Sequence, residues 1–368
     1  MFVNSTQKFF TYMGYYINGF SRESIRDIER LTHPMPKGEA YWGEVAERVK
    51  RVASAIFSIP LAAILFVPAG LCYLIAACAG QGGFEYKHDQ KPSPFYLENS
   101  VKVVALNACF QDPWSPLTGG VVPPHELVAK GVSRVAAVVD AVVKENPGLC
   151  LGQEFENLGA QDEFIRLMRQ NGFQYFLRDL GSDEPVKNSS GLFVASKAEI
   201  HDVAFIPYRA EDRSGFAAWC KRGALTFTVQ LNDKTLKFVN VHLNDGEDQE
   251  SRNRQLKGYV VPLLSGPSIL FGDLNFDTSK VERAVSGLVG FTNATEGHVT
   301  CTDAGKHSLR GKSLTPNGQP CTDCAEKIDG IIYDPRQVTV AGVAVQQLKV
   351  GNYFLSDHSM TVATVRLA

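Results

Sequence analysis

The sequence lacks an excess of charge of either sign, and it has little cysteine. Its 37 Lys and Arg residues nearly balance its 39 Asp and Glu residues, which leaves a formal net charge of -2. The balance is uneven along the chain, because residues 85–368 hold 29 basic and 33 acidic side chains. This mildly acidic part argues against a domain that binds nucleic-acid backbone, because that affinity comes mostly from cationic side chains at phosphates. Eight scattered cysteines in 368 residues do not suggest a disulfide framework, so reduced thiols are expected.

Signal-peptide features, internal repeats and low-complexity tracts are also missing. The first twenty residues have neither a basic start nor a continuous apolar core. A composition that is 44% hydrophobic and 21% charged is typical of globular protein and excludes disorder and collagen. The single Cys-x-x-Cys pair, Cys321 and Cys324, has no second ligand pair, so two thiols on a surface loop are favoured over a zinc site.

One segment lacks charged side chains altogether. Residues 52–84 contain no Asp, Glu, Lys or Arg, and the apolar stretch 52–79 is long enough to cross a bilayer core of roughly 30 Å. Two prolines and a glycine interrupt it, so a kinked or re-entrant hairpin competes with a single straight span. The alternative is a buried core helix of a soluble protein, although core helices seldom run this long without a polar face.

The residues before this segment suit a membrane surface. Arg48, Lys50 and Arg51 can meet anionic lipid headgroups or hold the N-terminal side in the cytoplasm. Aromatic residues are frequent among the first twenty positions, as at a membrane interface or on a packed surface helix. We therefore expect three parts, which are a membrane-associating region (1–84), a polar linker (85–100) and a folded domain (101–368).

Short apolar runs alternate with helical stretches after the linker. The runs that predict strands are residues 101–107, 147–154, 190–196, 224–231, 236–243, 268–275, 327–333 and 360–367. Helical periodicity covers residues 125–148, 161–173 and 249–264. Several strands are too apolar to alternate, which indicates an α/β domain whose sheets are covered on both faces.

Polar residues occur at the ends of nearly all these predicted strands. They are Asn107, Gln153, Glu154, His242, Asp273, Asn275, Asp357 and His358. A single Asp or Asn after a strand is usually a turn former or a helix cap. Recurrence at the ends of adjacent strands instead predicts that these side chains converge in one cleft.

A cleft with these side chains suits the hydrolysis of a phosphate ester. A hard cation such as Mg²⁺, with Mn²⁺ as the alternative, binds one or two carboxylates together with water and substrate oxygens. We predict Glu154 as its ligand, with Asn107 beside it. His358 is expected to be the general base that takes a proton from the attacking water, oriented by Asp273.

The remaining polar residues have expected roles around the same phosphate. We predict that His242 and Asn275 donate hydrogen bonds to its nonbridging oxygens. Asp357, directly before His358, is expected to be either a second metal ligand or an orienting group.

Six ordered motifs carry a family resemblance. They are NAC (107–109), GQE (152–154), NVHL (240–243), GDLNFD (272–277), KIDGIIY (327–333) and SDH (356–358). In this order, over about residues 101–367, they resemble the endonuclease/exonuclease/phosphatase superfamily. The resemblance implies an α/β fold, a four-layer α/β/β/α sandwich of two mixed β-sheets with a metal site at one end, here preceded by the N-terminal hydrophobic membrane segment.

Within the superfamily, the sequence most resembles membrane-anchored neutral sphingomyelinases. Residues 188–205 and 221–231 resemble the segments on either side of that group's switch loop, and the hydrophobic stretch ahead of the domain matches its layout. The resemblance implies Mg²⁺-dependent hydrolysis of sphingomyelin, or a related choline phospholipid, to ceramide and phosphocholine on the cytoplasmic side of a membrane. Cys72 and Cys78 lie where the anchored enzymes have acylated cysteines.

The sequence departs from this group at the switch loop. Arg222 stands where the family has its lysine, Lys221 is the neighbouring residue, and the nearest upstream acid is Asp212. Activation by rearrangement of this loop is therefore not implied. Lys221 and Arg222, together with Asp329 of the KIDGIIY motif, remain further candidate site residues.

Two other functions stay open. A superfamily phosphoesterase could act on inositol phosphates or nucleic acid, but GDLNFD lacks the arginine expected in inositol polyphosphate phosphatases. A catalytically silent member could use the fold to bind a lipid. All six motifs retain their polar residues, which argues against a silent member, because a protein that only binds lipid needs no general base.

Overall fold

The computed structural model describes most of the chain after residue 96. The described residues are 67–68, 71, 85–88, 95, 97–111, 133–181, 189–218, 220–245, 248–278, 288–302, 325–350 and 353–368. Most of the predicted membrane segment, with Cys72 and Cys78, lies outside them. Across these ranges, no helix has the length and apolarity that crossing a bilayer requires.

The larger sheet, hereafter the first sheet, is mixed. Its strand order is β1–β4–β5–β3–β2–β15–β11–β12, and β14 pairs with β15 along its other edge. The strands are β1 (Glu85–His88), β2 (Ser100–Phe110), β3 (Leu149–Phe155), β4 (Tyr175–Arg178), β5 (Phe193–Ser196), β11 (Cys301–Thr302), β12 (Ala325–Glu326), β14 (Val338–Val350) and β15 (Tyr353–Leu367). β2 and β3 pair in parallel, so the ends of both strands meet at one edge of the sheet.

The second sheet has the order β10–β13–β9–β8–β7–β6. Its strands are β6 (His201–Pro207), β7 (Gly223–Leu231), β8 (Lys234–His242), β9 (Ser268–Asp273), β10 (Thr292–Asn293) and β13 (Asp329–Tyr333). β8 and β9 are parallel and end together, with His242 opposite Asp273. β13 runs antiparallel to β9 and begins with Asp329 opposite Asp273.

In the described parts of the chain, three α-helices connect these strands, and each starts at a polar cap. They are α1 (Arg134–Lys144), α2 (Leu158–Gln170) and α3 (Gln249–Gln255). The side chains of Ser133, Asn157 and Asp248 accept hydrogen bonds from backbone N–H groups of the first turns, which have no partner inside the helix. α3 continues into a π turn, Leu256–Val260, and a 3₁₀ turn, Val261–Leu263.

Buried apolar side chains form three clusters that define the layers. One cluster lies between the sheets and includes Val103 of β2 and Phe271 of β9. A second packs Phe164 of α2, with residues of α1, on the outer face of the first sheet. The third packs Leu256 and Val260 on the outer face of the second sheet. The domain is therefore a sandwich of two sheets with helical segments outside both.

The sequence prediction of two packed mixed sheets is confirmed. Each of the eight predicted strands corresponds to an observed one, but β2 continues three residues past Asn107. The helix predicted over 249–264 is wrong in its second half, because the α-helix ends at Gln255. Pro262 in the 3₁₀ turn has no N–H to continue a helical ladder. The three-part division of the chain stays a prediction.

Gly272→Ala tests the close packing of the parallel strands β8 and β9. A Cβ at Gly272 would press against the backbone carbonyl of Val241, so the strands could not keep their spacing. We expect urea denaturation to show a loss of at least about 2 kcal/mol in the free energy of unfolding. Gly258 faces open space, so Gly258→Ala should be neutral or slightly stabilising. Equal destabilisation by both changes would contradict the packing argument.

Candidate active site

Six polar side chains from both sheets converge, four of them at or next to a strand end and two, Asn107 and His358, inside β2 and β15. They are Asn107 (β2), Glu154 (β3), His242 (β8), Asp273 (β9), Asp329 (β13) and His358 (β15). The parallel pairs β2–β3 and β8–β9 bring their residues to the same edge. The predicted convergence is therefore observed for Asn107, Glu154, His242, Asp273 and His358. It is not observed for Gln153, which donates a hydrogen bond to Asn240 in the interior, or for Asp357.

Asn107 connects the two sheets at this cleft. Its Nδ2 atom lies 3.0 Å from Glu154 Oε1 and 3.1 Å from Asp273 Oδ2, so one amide group donates to a carboxylate of each sheet. The same atom is 3.5 Å from His358 Nε2. Its Oδ1 atom accepts a hydrogen bond from the backbone N–H of Cys109 at 3.0 Å, which fixes the orientation of the amide.

His358 pairs with Asp329 rather than with Asp273. Its Nδ1 atom lies 2.8 Å from Asp329 Oδ2, while its Nε2 atom faces Asp273 Oδ2 at 3.5 Å. The prediction that Asp273 orients His358 is wrong, because Asp329 starts the neighbouring antiparallel strand and reaches the far side of the ring. Burial disfavours the imidazolium, but the charges around it, above all that of Asp329, raise the pKa of His358 well above its usual value.

Glu154 is the most open carboxylate of the group. Its side chain is 13% exposed, against 1% for Asp273 and 8% for Asp329. Gln111 donates a hydrogen bond from Nε2 to Glu154 Oε2 at 2.7 Å. The backbone of Glu154 is left-handed, with φ of 57°, a conformation that costs a non-glycine residue about 1–2 kcal/mol. Backbone strain of this kind is common at functional sites.

His242 is buried in its neutral form. Its Nε2 atom lies 3.4 Å from Asp273 Oδ2 and 4.0 Å from Glu154 Oε1. Burial, followed by the charges of Arg222 and His358, lowers the pKa of His242 well below its usual value. A neutral imidazole in this position can still donate one hydrogen bond to an oxygen.

Asp273 shows the electrostatic cost of the cleft. Burial, together with Asp329 and Glu154, raises the pKa of this carboxyl to about 7, against the opposing effect of His358 and Asn107. Carboxylates packed this closely repel one another unless a proton or a cation lies among them. Carboxylate oxygens are also the ligands that hard divalent cations take. The side chains present therefore fit a divalent cation.

Two neighbouring groups of side chains could hold that cation. Sequence analysis predicted Glu154, with Asn107 beside it, and the Glu154 carboxylate is partly exposed. The ligand atoms of Asp273, Asp329 and His358 also lie within 4.8 Å of one another. In this second group the 2.8 Å contact between His358 and Asp329 already forms a hydrogen bond. The Glu154 oxygens also accept hydrogen bonds, from Asn107 and Gln111, but Glu154 is the most exposed of the three carboxylates.

Asn275 lies beside Asp273, whereas Asp357 lies on the face of β15 opposite to His358. The backbone N–H of Asn275 donates to Asp273 Oδ1 at 2.9 Å, and its Nδ2 donates to the carbonyl of Leu243 at 3.1 Å, which leaves a second Nδ2 hydrogen. Asp357 precedes His358 in β15 and points to the opposite face of the strand. Its charge acts on Cys109 and Arg134.

The residues of the predicted switch region separate in the structure. Arg222 is buried near Glu154. Burial lowers the pKa of its guanidinium, but Cys220 and then three neighbouring carboxylates, Glu154 among them, raise this pKa above its usual value. Lys221 lies beside Gly181. Asp212 is held elsewhere, because it accepts hydrogen bonds from Arg254 and Tyr259. Which of these candidates act in a reaction stays a prediction.

Sequence reasoning missed Gln111 and Arg134. Arg134 is fully buried and donates to the carbonyls of Ala108, Cys109 and Leu355, so it ties the end of β2 to β15 beside the cleft. Burial lowers its pKa to about 10. Its position in the first turn of a helix carries no sequence signal of burial, because charged residues there usually face solvent.

Asp273→Asn should stabilise the metal-free protein at alkaline pH. A carboxyl whose pKa is raised in the folded state binds its proton more tightly there, so stability falls as the pH rises from about 4 through about 7. The neutral amide lacks this penalty. In EDTA, we expect the variant to melt at least about 2 °C above wild type at pH 8, with a smaller difference at pH 4. A lower melting temperature for the variant at pH 8 would contradict the buried-charge argument.

Several solved structures of known proteins are similar to the structure of this chain. No family model matches the chain, and no curated protein matches it. Beta toxin from Staphylococcus aureus is 17% identical with a TM-score of 0.55, and the match covers 72% of this chain and 99% of that one. Another beta-toxin structure, a double mutant with bound magnesium ions, is also 17% identical, with a TM-score of 0.52 and the same coverage.

Two further solved structures have the same architecture. Sphingomyelinase C from Streptomyces griseocarneus is 19% identical with a TM-score of 0.52, covering 72% of this chain and 99% of that one. A humanized TDP2 from D. rerio is 14% identical with a TM-score of 0.51, covering 73% of this chain and 100% of that one. As the six motifs predicted, this chain has the fold of the endonuclease/exonuclease/phosphatase superfamily.

Proposed function

We propose that this protein is a metal-dependent phosphodiesterase that hydrolyses sphingomyelin, or a related choline phospholipid, to ceramide and phosphocholine at a membrane surface. The observation that carries the proposal is the buried His358–Asp329 pair, 2.8 Å apart, facing Asp273, Asn107 and His242 next to the open carboxylate of Glu154. A binding module would gain nothing from holding a histidine and several carboxylates at such electrostatic cost.

The chain's own residues account for the proton transfer. A cation among the carboxylates would offset the charges that raise the pKa of His358, so that its neutral Nε2 could take the proton of the attacking water. Asp329 accepts a hydrogen bond from Nδ1 and stabilises the resulting imidazolium. As the water oxygen bonds to phosphorus, the bond from phosphorus to the ceramide oxygen breaks, and that oxygen takes a proton from solvent. Neutral His242 and the second Nδ2 hydrogen of Asn275 donate to the nonbridging phosphate oxygens. When bound, a divalent cation polarises the phosphoryl group and offsets its developing negative charge.

Glu154 is the residue we propose to ligate this cation, which we propose to be Mg²⁺. Asn107, predicted beside the metal, orients the Glu154 carboxylate through its Nδ2 atom, because its Oδ1 atom is turned to the backbone N–H of Cys109. The openness of Glu154 supports this choice, because Mg²⁺ keeps several waters and substrate oxygens in its shell. The bound magnesium ions of the similar beta toxin support it further.

The choice of a lipid substrate rests on three supports. The first is the sequence resemblance to membrane-anchored neutral sphingomyelinases. The second is the structural likeness to a sphingomyelinase C. The third is the charge-free stretch 52–84, which we propose to tether the catalytic domain to the cytoplasmic face of a membrane, with the preceding basic residues on anionic lipid.

His358→Ala should abolish turnover. With Mg²⁺ and sphingomyelin vesicles, we expect the release of phosphocholine to fall by about 10²–10⁴-fold, the usual contribution of a general base. His201→Ala is the matched control, since His201 lies on β6 opposite Thr228, towards the other end of the second sheet. Turnover that survives the loss of His358 would refute the assigned base.

Substrate choice is tested with the wild-type protein in the presence of Mg²⁺. We expect phosphocholine release from sphingomyelin to exceed hydrolysis of an inositol polyphosphate or cleavage of abasic DNA. The reverse order would replace the lipid with one of those substrates while keeping the phosphoesterase chemistry. No hydrolysis of any phosphate ester, with vesicle binding intact, would favour a silent lipid-binding protein.

Deletion of residues 1–84 should release the protein from membranes. The full chain is expected to pellet with vesicles in high salt, because apolar insertion resists screening, whereas the shortened chain should stay in the supernatant. Sedimentation of both proteins with and without vesicles measures this. Unchanged pelleting of the shortened chain in high salt would refute the tether.

A further inference from the structure

One loop, whose residues 296–299 are exposed while Thr295 and Thr300 are buried, passes from the second sheet to the first beside the His358–Asp329 pair. It leaves β10 at Asn293, which pairs with β13, and enters β11 at Cys301, which pairs with His358 of β15. Between Asn293 and Cys301 the loop crosses to the other sheet, so its backbone cannot pair with β13 as a neighbouring strand would. The backbone groups at the start of β13 therefore need other partners.

Side chains of the loop supply those partners. Thr300, which has no solvent exposure, accepts hydrogen bonds at Oγ1 from the backbone N–H groups of Ile328 (3.1 Å) and Asp329 (2.9 Å). Thr295 Oγ1 donates to the carbonyl of Asp329 at 2.8 Å. Both sides of the Asp329 backbone are thus held by threonine hydroxyls.

Thr300 is also joined to the strand that carries His358. Its carbonyl accepts a hydrogen bond from the N–H of Ser359 at 2.6 Å, and its own N–H donates to the carbonyl of Glu326 at 2.9 Å. One residue therefore contacts the backbone of Asp329 and the backbone next to His358. These two partners belong to different sheets, so no single strand ladder sets the distance between them.

We propose that Thr300 is a positioning residue that holds Asp329 against His358. This inference rests on the proposed function of the pair. The 2.8 Å contact between Nδ1 and Oδ2 tolerates little sliding of one sheet over the other, and a misplacement of 1 Å in a catalytic group can cost about 10²-fold in rate. Loss of the hydroxyl leaves two buried amides without their acceptor, and both lie at or next to Asp329.

The test compares three threonine variants of the full-length chain. Thr300→Val keeps the shape but removes the acceptor, and Thr300→Ser keeps the acceptor. Thr361→Val is the matched control, because this buried hydroxyl donates to the carbonyl of Ala105 between β15 and β2. We expect kcat on sphingomyelin vesicles to fall at least about 10-fold in Thr300→Val with KM within about twofold, and to stay near wild type in the other two.

A double-mutant cycle separates positioning from general damage. If Thr300 acts through Asp329, adding Thr300→Val to Asp329→Asn should cause little further loss of kcat. The role of Thr300 would be overturned if the losses of kcat in the two single variants added fully, or if Thr300→Val kept wild-type kcat. In either case, a loss of kcat in Asp329→Asn would still show that the His358–Asp329 pair matters. Wild-type kcat in Asp329→Asn would instead overturn the catalytic pair and, with it, this inference.

A second readout needs no substrate. The proton on Nδ1 of His358 should give a low-field NMR resonance, identified by its absence in His358→Ala. We expect it to persist in Thr300→Ser and Thr361→Val and to be lost or shifted in Thr300→Val; an unchanged resonance would overturn the proposal. If Thr300→Val does not fold, Thr300→Ala, which leaves room for water at the amides, takes its place in each comparison.

Discussion

The close approach of three buried or half-buried carboxylates is the constraint on which the site depends. Glu154, Asp273 and Asp329 come from three strands and two sheets. Burial first, and then the charges of Asp329 and Glu154, raise the pKa of Asp273. The amide of Asn107 and the imidazole of His358 hold this charge in place. A fold that did not need the charge for chemistry would bury apolar residues of the same volume at lower cost.

The two-sheet architecture accommodates these buried charges without interrupting the apolar core. Because β2 and β3 are parallel in one sheet and β8 and β9 in the other, polar residues collect at strand ends while the apolar core between the sheets stays intact. Arg134 and Thr300 then join the elements around the cleft, one through three carbonyls and the other through backbone groups of both sheets. Left-handed backbone at Cys109, Glu154 and Asn275 marks the same region as strained.

Much of the fold could be predicted because its signals are local. Apolar runs located eight strands, and polar residues at their ends located Asn107, Glu154, His242, Asp273 and His358 together. Seven of the described strands escaped prediction, namely β1, β4, β6, β10, β11, β12 and β14. Three of them, β10, β11 and β12, have only two residues each, which carry no periodicity. The helix predicted over 249–264 stopped early at a π turn, where packing on the second sheet outweighed periodicity.

The sequence by itself determined which residue types the cleft contains and the order of the strands that carry them, because hydrophobic pattern and motif spacing are properties of the chain. Only the tertiary structure decided that Asp329, and not Asp273, contacts Nδ1 of His358. That choice depends on the register of β13 against β9 and on the pairing of β11 with β15, in which Cys301 lies opposite His358. Both are contacts between residues far apart in sequence, and no local pattern encodes which of two neighbouring carboxylates they bring to one ring nitrogen.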